Sequence, residues 1–302
     1  MSRLPIIVAP MFLISNPAMV IEASRAGAIG SFPLLNARPV STCADWLQEI
    51  KEALPTEPWA VNFICHPVAN VRFEEDLQLI EKYEPPIVIT SLGNPKRVID
   101  IVHRYGGKVY ADVANVKHAE KSAATGVDGL ILVCAGAGGH GGQLNPFGFV
   151  AAVKKFFNGT IILSGSISSG ADVLAAQIIG ADYAYLGTRF IACHEGDAPE
   201  AYKNMVIEST TDDVLYTDAF SGVPVNVLIP SLIKEGIDPS TLMPKEAIDL
   251  THLVNVKAWR DIWSAGHGVT AIEKRESVRE IITSLQEEYE CAKQRLNVVQ
   301  SL

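Results

Sequence analysis

A single histidine, His140, lies inside a glycine-dense segment of the chain, residues 134–147. The sequence there reads Cys-Ala-Gly-Ala-Gly-Gly-His-Gly-Gly-Gln-Leu-Asn-Pro-Phe. Glycine has no Cβ and tolerates positive φ, so this backbone can approach a flat or anionic ligand closely. An imidazole is also the side chain whose ordinary pKa allows proton exchange near neutral pH. The segment therefore predicts a ligand-binding loop with His140 as the candidate catalytic residue.

Two further motifs pair a glycine with a hydroxyl residue. Ser164-Gly165 and Gly187-Thr188 each follow an apolar run, and the two runs are consecutive along the chain. Either dipeptide alone is an ordinary turn sequence. At the ends of two consecutive parallel strands, however, they favour a phosphate site made of backbone N–H groups and hydroxyls.

Other chemistries have less support in the sequence. His267 lies in a second glycine loop and is the one competitor of His140. The five cysteines are scattered without a CxxC spacing, and no histidine, cysteine and carboxylate set has the spacing of metal ligands. Ser166 lacks the G-x-S-x-G turn of a serine nucleophile. We therefore expect neither a metal site nor a catalytic triad.

Composition limits the partners. The chain has 302 residues, 48% hydrophobic residues and a formal net charge of -9, and it contains no basic run. These values disfavour nucleic acids and anionic membranes and favour small-molecule ligands. The apolar stretch in residues 1–14 is interrupted by Pro5 and Pro10, so we interpret it as a first strand rather than a signal peptide. A cytoplasmic location is expected, and a homodimer is one assembly that the sequence leaves open.

The elements that would position these residues follow an alternating pattern. Short apolar runs typical of buried parallel strands alternate with longer amphipathic stretches. The predicted strands are Pro5–Ala9, Ala28–Phe32, Ala60–Ile64, Ile87–Thr90, Lys108–Ala111, Gly129–Val133, Thr160–Leu163 and Tyr183–Leu186. The predicted helices begin near Pro17, Cys43, Phe73, Pro95, Val116, Pro146 and Ser169. Eight such units predict an α/β fold, the (β/α)8 TIM barrel, rather than a doubly wound sheet, which more often has six strands.

The last third of the chain departs from this alternation. We predict a barrel in residues 1–197, a small helical insertion in 198–254, and a C-terminal segment in 255–302 that packs back on the barrel. Proline and glycine interrupt the helical signals of the insertion. The C-terminal segment contains a long amphipathic helix, predicted at about Glu273 to Leu296, with an apolar face toward the barrel.

Motifs distributed over nearly the whole chain resemble the nitronate monooxygenase family, formerly called 2-nitropropane dioxygenases. They are Ala9-Pro10-Met11, the His140 loop, Ser164-Gly165-Ser166-Ile167, Tyr185-Leu186-Gly187-Thr188-Arg189-Phe190 and Ile262-Trp263-Ser264-Ala265-Gly266. The resemblance implies a TIM-barrel enzyme that uses FMN and O₂ to oxidise alkyl nitronates, such as propionate 3-nitronate, to a carbonyl compound and nitrite.

The resemblance also implies roles for single residues. His140 would lie near the reactive face of the flavin, as a base or as an electrostatic partner of the anionic substrate. Ser164, Gly165, Gly187 and Thr188 would hold the FMN phosphate. The remaining FMN contacts would be Pro10, Met11, Asn62, Gly139, Ser264 and Gly266.

One residue departs from a related branch and keeps alternatives open. The fifth strand leads to Asp112, where NADH:quinone reductases of this superfamily carry a lysine near the flavin. A carboxylate cannot stabilise an anionic reduced flavin as a cation does. The alternatives are an NAD(P)H-dependent flavin reductase of quinones or enoyl thioesters on the same scaffold, and a non-catalytic flavin-binding barrel.

Overall fold

A computed structural model describes residues 3–220, 222–245 and 261–299. Its strands, in chain order, are β1 (Ile6–Val8), β2 (Gly30–Pro33), β3 (Trp59–Ile64), β4 (Ile87–Ser91), β5 (Lys108–Val113), β6 (Gly129–Val133), β7 (Gly139–His140), β8 (Thr160–Ser164), β9 (Tyr183–Leu186), β10 (Val214–Thr217) and β11 (Val225–Leu228). Its α-helices are α1 (Pro17–Arg25), α2 (Val40–Ala53), α3 (Phe73–Tyr83), α4 (Lys96–Val102), α5 (Val116–Ala123), α6 (Pro146–Val153), α7 (Gly170–Ile178), α8 (Glu200–Glu208), α9 (Ile229–Lys234) and α10 (Val278–Val299).

Eight parallel strands form a nearly closed barrel, as the alternating pattern predicts. Their order is β1-β9-β8-β6-β5-β4-β3-β2. A parallel bridge between Ile7 and Ile29 joins the two ends of the sheet, and the Val8 N–H donates to the Ile29 carbonyl at 2.9 Å. Each of the eight predicted strands matches an observed strand to within two residues at both ends. The (β/α)8 fold is therefore confirmed.

Side chains of the strands alternate between the barrel interior and the surrounding helices because successive residues point to opposite faces. The interior layer is apolar and includes Ile7, Ala60, Ile89, Tyr110, Ile131, Ile162 and Tyr185. Two residues further along the same strands, Ala9, Asn62, Ser91, Asp112, Val133, Ser164 and Gly187 follow on the interior face. This second, largely polar set is the upper layer of the barrel, at the carboxyl ends of the strands.

Several helices begin at the asparagine signals in the sequence. The Asn16 side chain accepts from the Met19 N–H at the start of α1, and the Asn145 side chain accepts from the Phe147 N–H at the start of α6. The N-terminal residues of both helices include a proline, which needs no hydrogen-bond partner for its nitrogen. These caps fix where the chain leaves the upper layer and enters a helix.

The segment after β9 contains strands that the sequence analysis did not predict. Strand β11 pairs with β10 on one side and with β7 on the other, both antiparallel, which gives a sheet of order β10-β11-β7. The division into units 1–197, 198–254 and 255–302 stays a prediction, and residues 246–260, at the boundary between the last two units, lie outside the described residues.

The C-terminal helix α10 packs against α7, as its apolar face predicts. It begins at Val278, five residues later than expected. The two backbones approach so closely at Gly170 that an added Cβ would lie 2.2 Å from the Leu285 carbonyl oxygen. Within the described residues, no helix has both the length and the apolarity required to cross a membrane.

Candidate functional site

A cavity of about 830 Å³ opens above the upper layer of the barrel. The sequence-predicted site residues all line it: Pro10, Met11, Asn62, Gly139, His140, Ser164, Gly165, Gly187, Thr188, Ser264 and Gly266. They come from the ends of several strands and from a loop more than 70 residues beyond β9. The fold thus brings together every residue that the sequence analysis selected.

His140 is held by a sheet rather than by the barrel itself. It lies on β7, where it pairs with Val225 of β11 in antiparallel register. The next residue of β11, the buried Asn226, pairs with Gly139 and donates from Nδ2 to the Ala137 carbonyl at 2.6 Å. The insertion after β9 therefore positions the candidate catalytic residue, a contribution that the sequence analysis missed.

The loop that contains Ser264 and Gly266, called the late loop below, is hydrogen-bonded to the His140 loop. The Gly139 N–H donates to Ser264 Oγ at 2.7 Å, and the Ser264 hydroxyl donates in turn to the Asn226 carbonyl. The hydroxyl of Ser264 thus uses its proton within the protein. Ser264 is therefore better placed to position the His140 loop than to donate a hydrogen bond to a ligand.

The turn after β8 requires glycine at one position. Gly165 has φ +115, and a Cβ there would lie 2.8 Å from the Ala135 carbonyl oxygen. The next residue, Ser166, is also left-handed, with φ 56. Because Ser169 and Asp172 cap the start of α7 reciprocally, it is the turn rather than the helix end that offers backbone donors to an anion.

The turn after β9 is joined to the late loop and to the C-terminal segment. The Gly266 N–H donates to Thr188 Oγ1 at 2.9 Å. This leaves the hydroxyl proton of Thr188 for a ligand. Arg189 is buried and pairs with Glu276 at 2.8 Å, so its role in the motif is structural.

A polar chain crosses the opposite side of the upper layer. Asn62 Nδ2 donates to Ser91 Oγ at 2.8 Å, and the Ser91 hydroxyl donates to Asp112 Oδ2 at 2.5 Å. Burial raises the pKa of the Asp112 carboxyl to about 6, while the hydrogen bond from Ser91 opposes that rise. Ser91 directly follows a predicted strand, so the rule that selected the other residues could also have found it.

Helix α5 and the loop after β3 add residues that the sequence analysis did not assign to the site. Lys121 and the exposed His118 line the cavity from α5, and His66 lines it from the loop. The competing histidine, His267, is not among the lining residues, and its backbone N–H donates to the Gly136 carbonyl at 2.9 Å. The geometry therefore favours His140 over His267.

Comparison with solved structures gives the same architecture. FabK from Thermotoga maritima superposes with a TM-score of 0.83 at 23% identity, covering 98% of this chain and 95% of that one. A nitroalkane oxidase from Streptomyces ansochromogenes gives a TM-score of 0.81 at 21% identity, with 97% of each chain covered. At these identities the likeness shows the shared barrel fold alone.

Sequence comparison identifies the family. A nitronate monooxygenase from Paraburkholderia phytofirmans is 27% identical over 285 residues, which cover 80% of this chain and 77% of that protein. One from Neurospora crassa is 28% identical over 257 residues, covering 70% and 66%. The nitronate monooxygenase family itself matches residues 32–288. Because this match spans most of the chain, the protein belongs to the nitronate monooxygenase family and is a flavin oxidoreductase of that type.

Proposed function

We propose that this chain uses FMN to oxidise alkyl nitronates with molecular oxygen, giving a carbonyl compound and nitrite. The observation that carries the proposal is the convergence of His140 and both glycine and hydroxyl turns on one cavity. Family membership supports oxidation of nitro compounds in general. Propionate 3-nitronate is the substrate with which we would test it.

The residues of the cavity fit a phosphorylated, planar cofactor. Its volume of about 830 Å³ is that of a small-molecule site. The turn at Gly165 and Ser166, with positive φ at both residues, is the kind of backbone that can present N–H groups to a phosphate. We assign the phosphate to Ser164, Gly165, Gly187 and Thr188, whose hydroxyls and N–H groups are neutral donors. When bound, FMN supplies the electron transfer between nitronate and oxygen.

The protein's own share is orientation and charge stabilisation. A protonated His140 would stabilise the nitronate anion, whereas a neutral His140 would take a proton from a nitroalkane. Both roles need the imidazole at the cavity, where β7 and β11 hold it. Apolar surface from Pro10 and Met11 would contact the flavin ring.

The test is oxygen uptake by the FMN-loaded protein on addition of propionate 3-nitronate. We expect His140→Ala to lower the turnover rate by about 100-fold or more, since a positioned acid or base contributes on that order. Its FMN dissociation constant should stay within a few-fold of the parent's. His103→Ala is the matched control, because His103 is exposed and pairs with Asp128 at 2.9 Å. A His140→Ala protein that oxidises nitronates as fast as the parent would exclude His140 from the mechanism.

Two results would favour the alternatives instead. Rapid anaerobic bleaching of the flavin by NADH, without nitronate-dependent oxygen uptake, would indicate a flavin reductase. Tight FMN binding with neither activity would indicate a non-catalytic flavin-binding barrel.

A further inference from the structure

Asp112 ends a chain of hydrogen bonds in which each donor points toward its carboxylate. The Asn62 amide donates to Ser91, and the Ser91 hydroxyl donates to Asp112 Oδ2. Asp112 Oδ1 is enclosed and has no hydrogen-bond partner among the described residues. A carboxylate can accept several hydrogen bonds, and buried polar groups in folded proteins rarely lack partners. Asp112 therefore retains acceptor capacity that the protein does not use.

The order of the strands around the barrel indicates which part of a bound ligand would lie near Asp112. In the ring of strands, β8 and β9 are neighbours, and β3, β4 and β5 lie together on the other side. The polar chain thus begins with Asn62 on β3, across the barrel mouth from the Gly165 turn, and ends with Asp112 on β5, which only β6 separates from β8. Asp112 lines the cavity, and although its Oδ1 atom is enclosed the residue as a whole is only half-buried, so a ligand crossing the mouth can contact it.

The chemistry of the carboxylate selects the ligand atom. An ionised carboxylate accepts hydrogen bonds and repels anions. A nitronate offers only anionic oxygens, so it does not match this position. The ring of an oxidised flavin has a single N–H donor, N3–H, which lies between two carbonyl groups. Its other polar atoms are all hydrogen-bond acceptors. Of the two ligands, only FMN provides hydrogen-bond donors, and besides the hydroxyls of its ribityl chain N3–H is the one donor on the flavin ring.

We propose that Asp112 is a cofactor-binding residue that accepts a hydrogen bond from the N3–H group of the bound flavin, with Ser91 and Asn62 holding the carboxylate in place. This inference rests on the proposed function, because it takes FMN as the ligand. It also assigns an electronic role: a negative charge beside the pyrimidine edge disfavours negative charge on the reduced ring, which lowers the reduction potential of the flavin.

The test compares FMN with 3-methyl-FMN, which carries a methyl group in place of the N3 hydrogen. At pH 8 the carboxyl is ionised, since its pKa is about 6. We expect the parent to bind 3-methyl-FMN at least about tenfold more weakly than FMN, because a charged acceptor loses its donor. The Asp112→Ala variant should bind the two flavins within about threefold of each other. Asp100→Ala, which removes an exposed carboxylate from α4, should keep the parent's preference.

A second variant tests the proposal in case Asp112→Ala does not fold. Asp112→Asn keeps the shape of the side chain and removes its charge, so the reduction potential of bound FMN should become more positive than in the parent. Equal binding of both flavins by the parent, an unchanged preference in Asp112→Ala, or an unchanged potential in Asp112→Asn would each overturn the proposal.

The outcomes separate this inference from the proposed reaction. A parent that prefers FMN as described but consumes no oxygen with nitronate leaves Asp112's role standing and removes the reaction. A parent that oxidises nitronate but shows no preference removes Asp112's role alone. A parent that binds no FMN contradicts both.

Discussion

The carboxyl of Asp112 makes the protein less stable when no ligand donates to it. Burial raises its pKa from an ordinary value of 3.8 to about 6. The folded protein thus holds this proton more tightly than the unfolded chain does. The group imposes no penalty below about pH 4, and the penalty grows as pH rises to about 6 and stays constant above that. Such a cost is typical of side chains kept for binding rather than for folding.

We therefore predict that Asp112→Asn stabilises the ligand-free protein in a pH-dependent way. The free energy of unfolding should rise by about 1–3 kcal/mol at pH 8, the upper limit following from the size of the pKa change, and by less than about 1 kcal/mol at pH 4. Urea titrations at the two pH values measure it, with Asp100→Asn as the exposed control. A gain that is the same at both pH values would show that the burial of the charge is not its cause.

Residue chemistry alone identified much of the site. His140 and the turns at Gly165 and Gly187 were predictable because glycine and imidazole have distinctive properties that local sequence displays. Ser91 was missed although it occupies the same position relative to its strand as the selected residues. Ser91 belongs to the site because its hydroxyl donates to Asp112, which lies 21 residues later in the chain. A pairing over that separation is not visible in local sequence.

At the scale of elements, the turn after β8 depends on the backbone of one residue. Gly165 and Gly126 both have positive φ, but a Cβ on Gly165 would lie 2.8 Å from the Ala135 carbonyl oxygen, whereas nothing lies within 4 Å of one on Gly126. A comparison of the two separates backbone strain from steric exclusion. Only Gly165 also belongs to the cavity.

We predict that Gly165→Ala weakens FMN binding by about tenfold or more and lowers the free energy of unfolding by about 2–4 kcal/mol, because strain and a backbone clash add. Gly126→Ala should cost about 1–2 kcal/mol and leave FMN affinity unchanged. Fluorescence titration and thermal unfolding provide the two measurements. Similar FMN affinities in both variants would contradict a role of the Gly165 turn in holding the phosphate.

The sheet that holds His140 leads to a separate prediction for Asn226. The Asn226→Ala variant leaves the Ala137 carbonyl without its 2.6 Å donor and loosens the His140 loop. Nitronate turnover should fall by about tenfold or more, while FMN affinity changes less than about threefold, because the phosphate turns lie on other strands. Asn204→Ala is the control, since Asn204 contacts only the side chain of Arg275 at the surface in the described hydrogen bonds. An equal loss in FMN affinity and turnover would mean that β11 supports the whole cavity.

Elements of the barrel were predictable because each strand and helix is encoded by a continuous run of residues. Strand β7 is different, since it has only two residues and pairs with β11 more than 80 residues later. The run Val225-Asn226-Val227-Leu228 carried a strand signal, which the surrounding proline and glycine obscured. The missed sheet therefore reflects a partnership between distant segments rather than an unusual sequence.

For the whole molecule, the count of eight βα units predicted that the sheet closes into a barrel. It did not predict which contacts stabilise the closed barrel. Helix α10 lies against α7, which directly follows the turn of the candidate phosphate site. The Gly170 N–H donates to Glu288 of α10 at 2.6 Å. The C-terminal segment thus supports the barrel, although none of the residues of α10 whose side chains the structure describes lines the cavity.

A pair of leucines in α10 tests this arrangement. Leu285 is fully buried (0% exposed), whereas Leu296 is 42% exposed on the same helix. We predict that Leu285→Ala lowers the free energy of unfolding by about 2–5 kcal/mol, because truncation leaves a cavity between packed elements, and that Leu296→Ala changes it by less than about 1 kcal/mol. Neither variant should alter FMN affinity at temperatures where both are folded, since neither side chain reaches the cavity. Weaker FMN binding by the folded Leu285→Ala protein would instead show that α10 sets the position of α7 and, through it, the geometry of the phosphate turn.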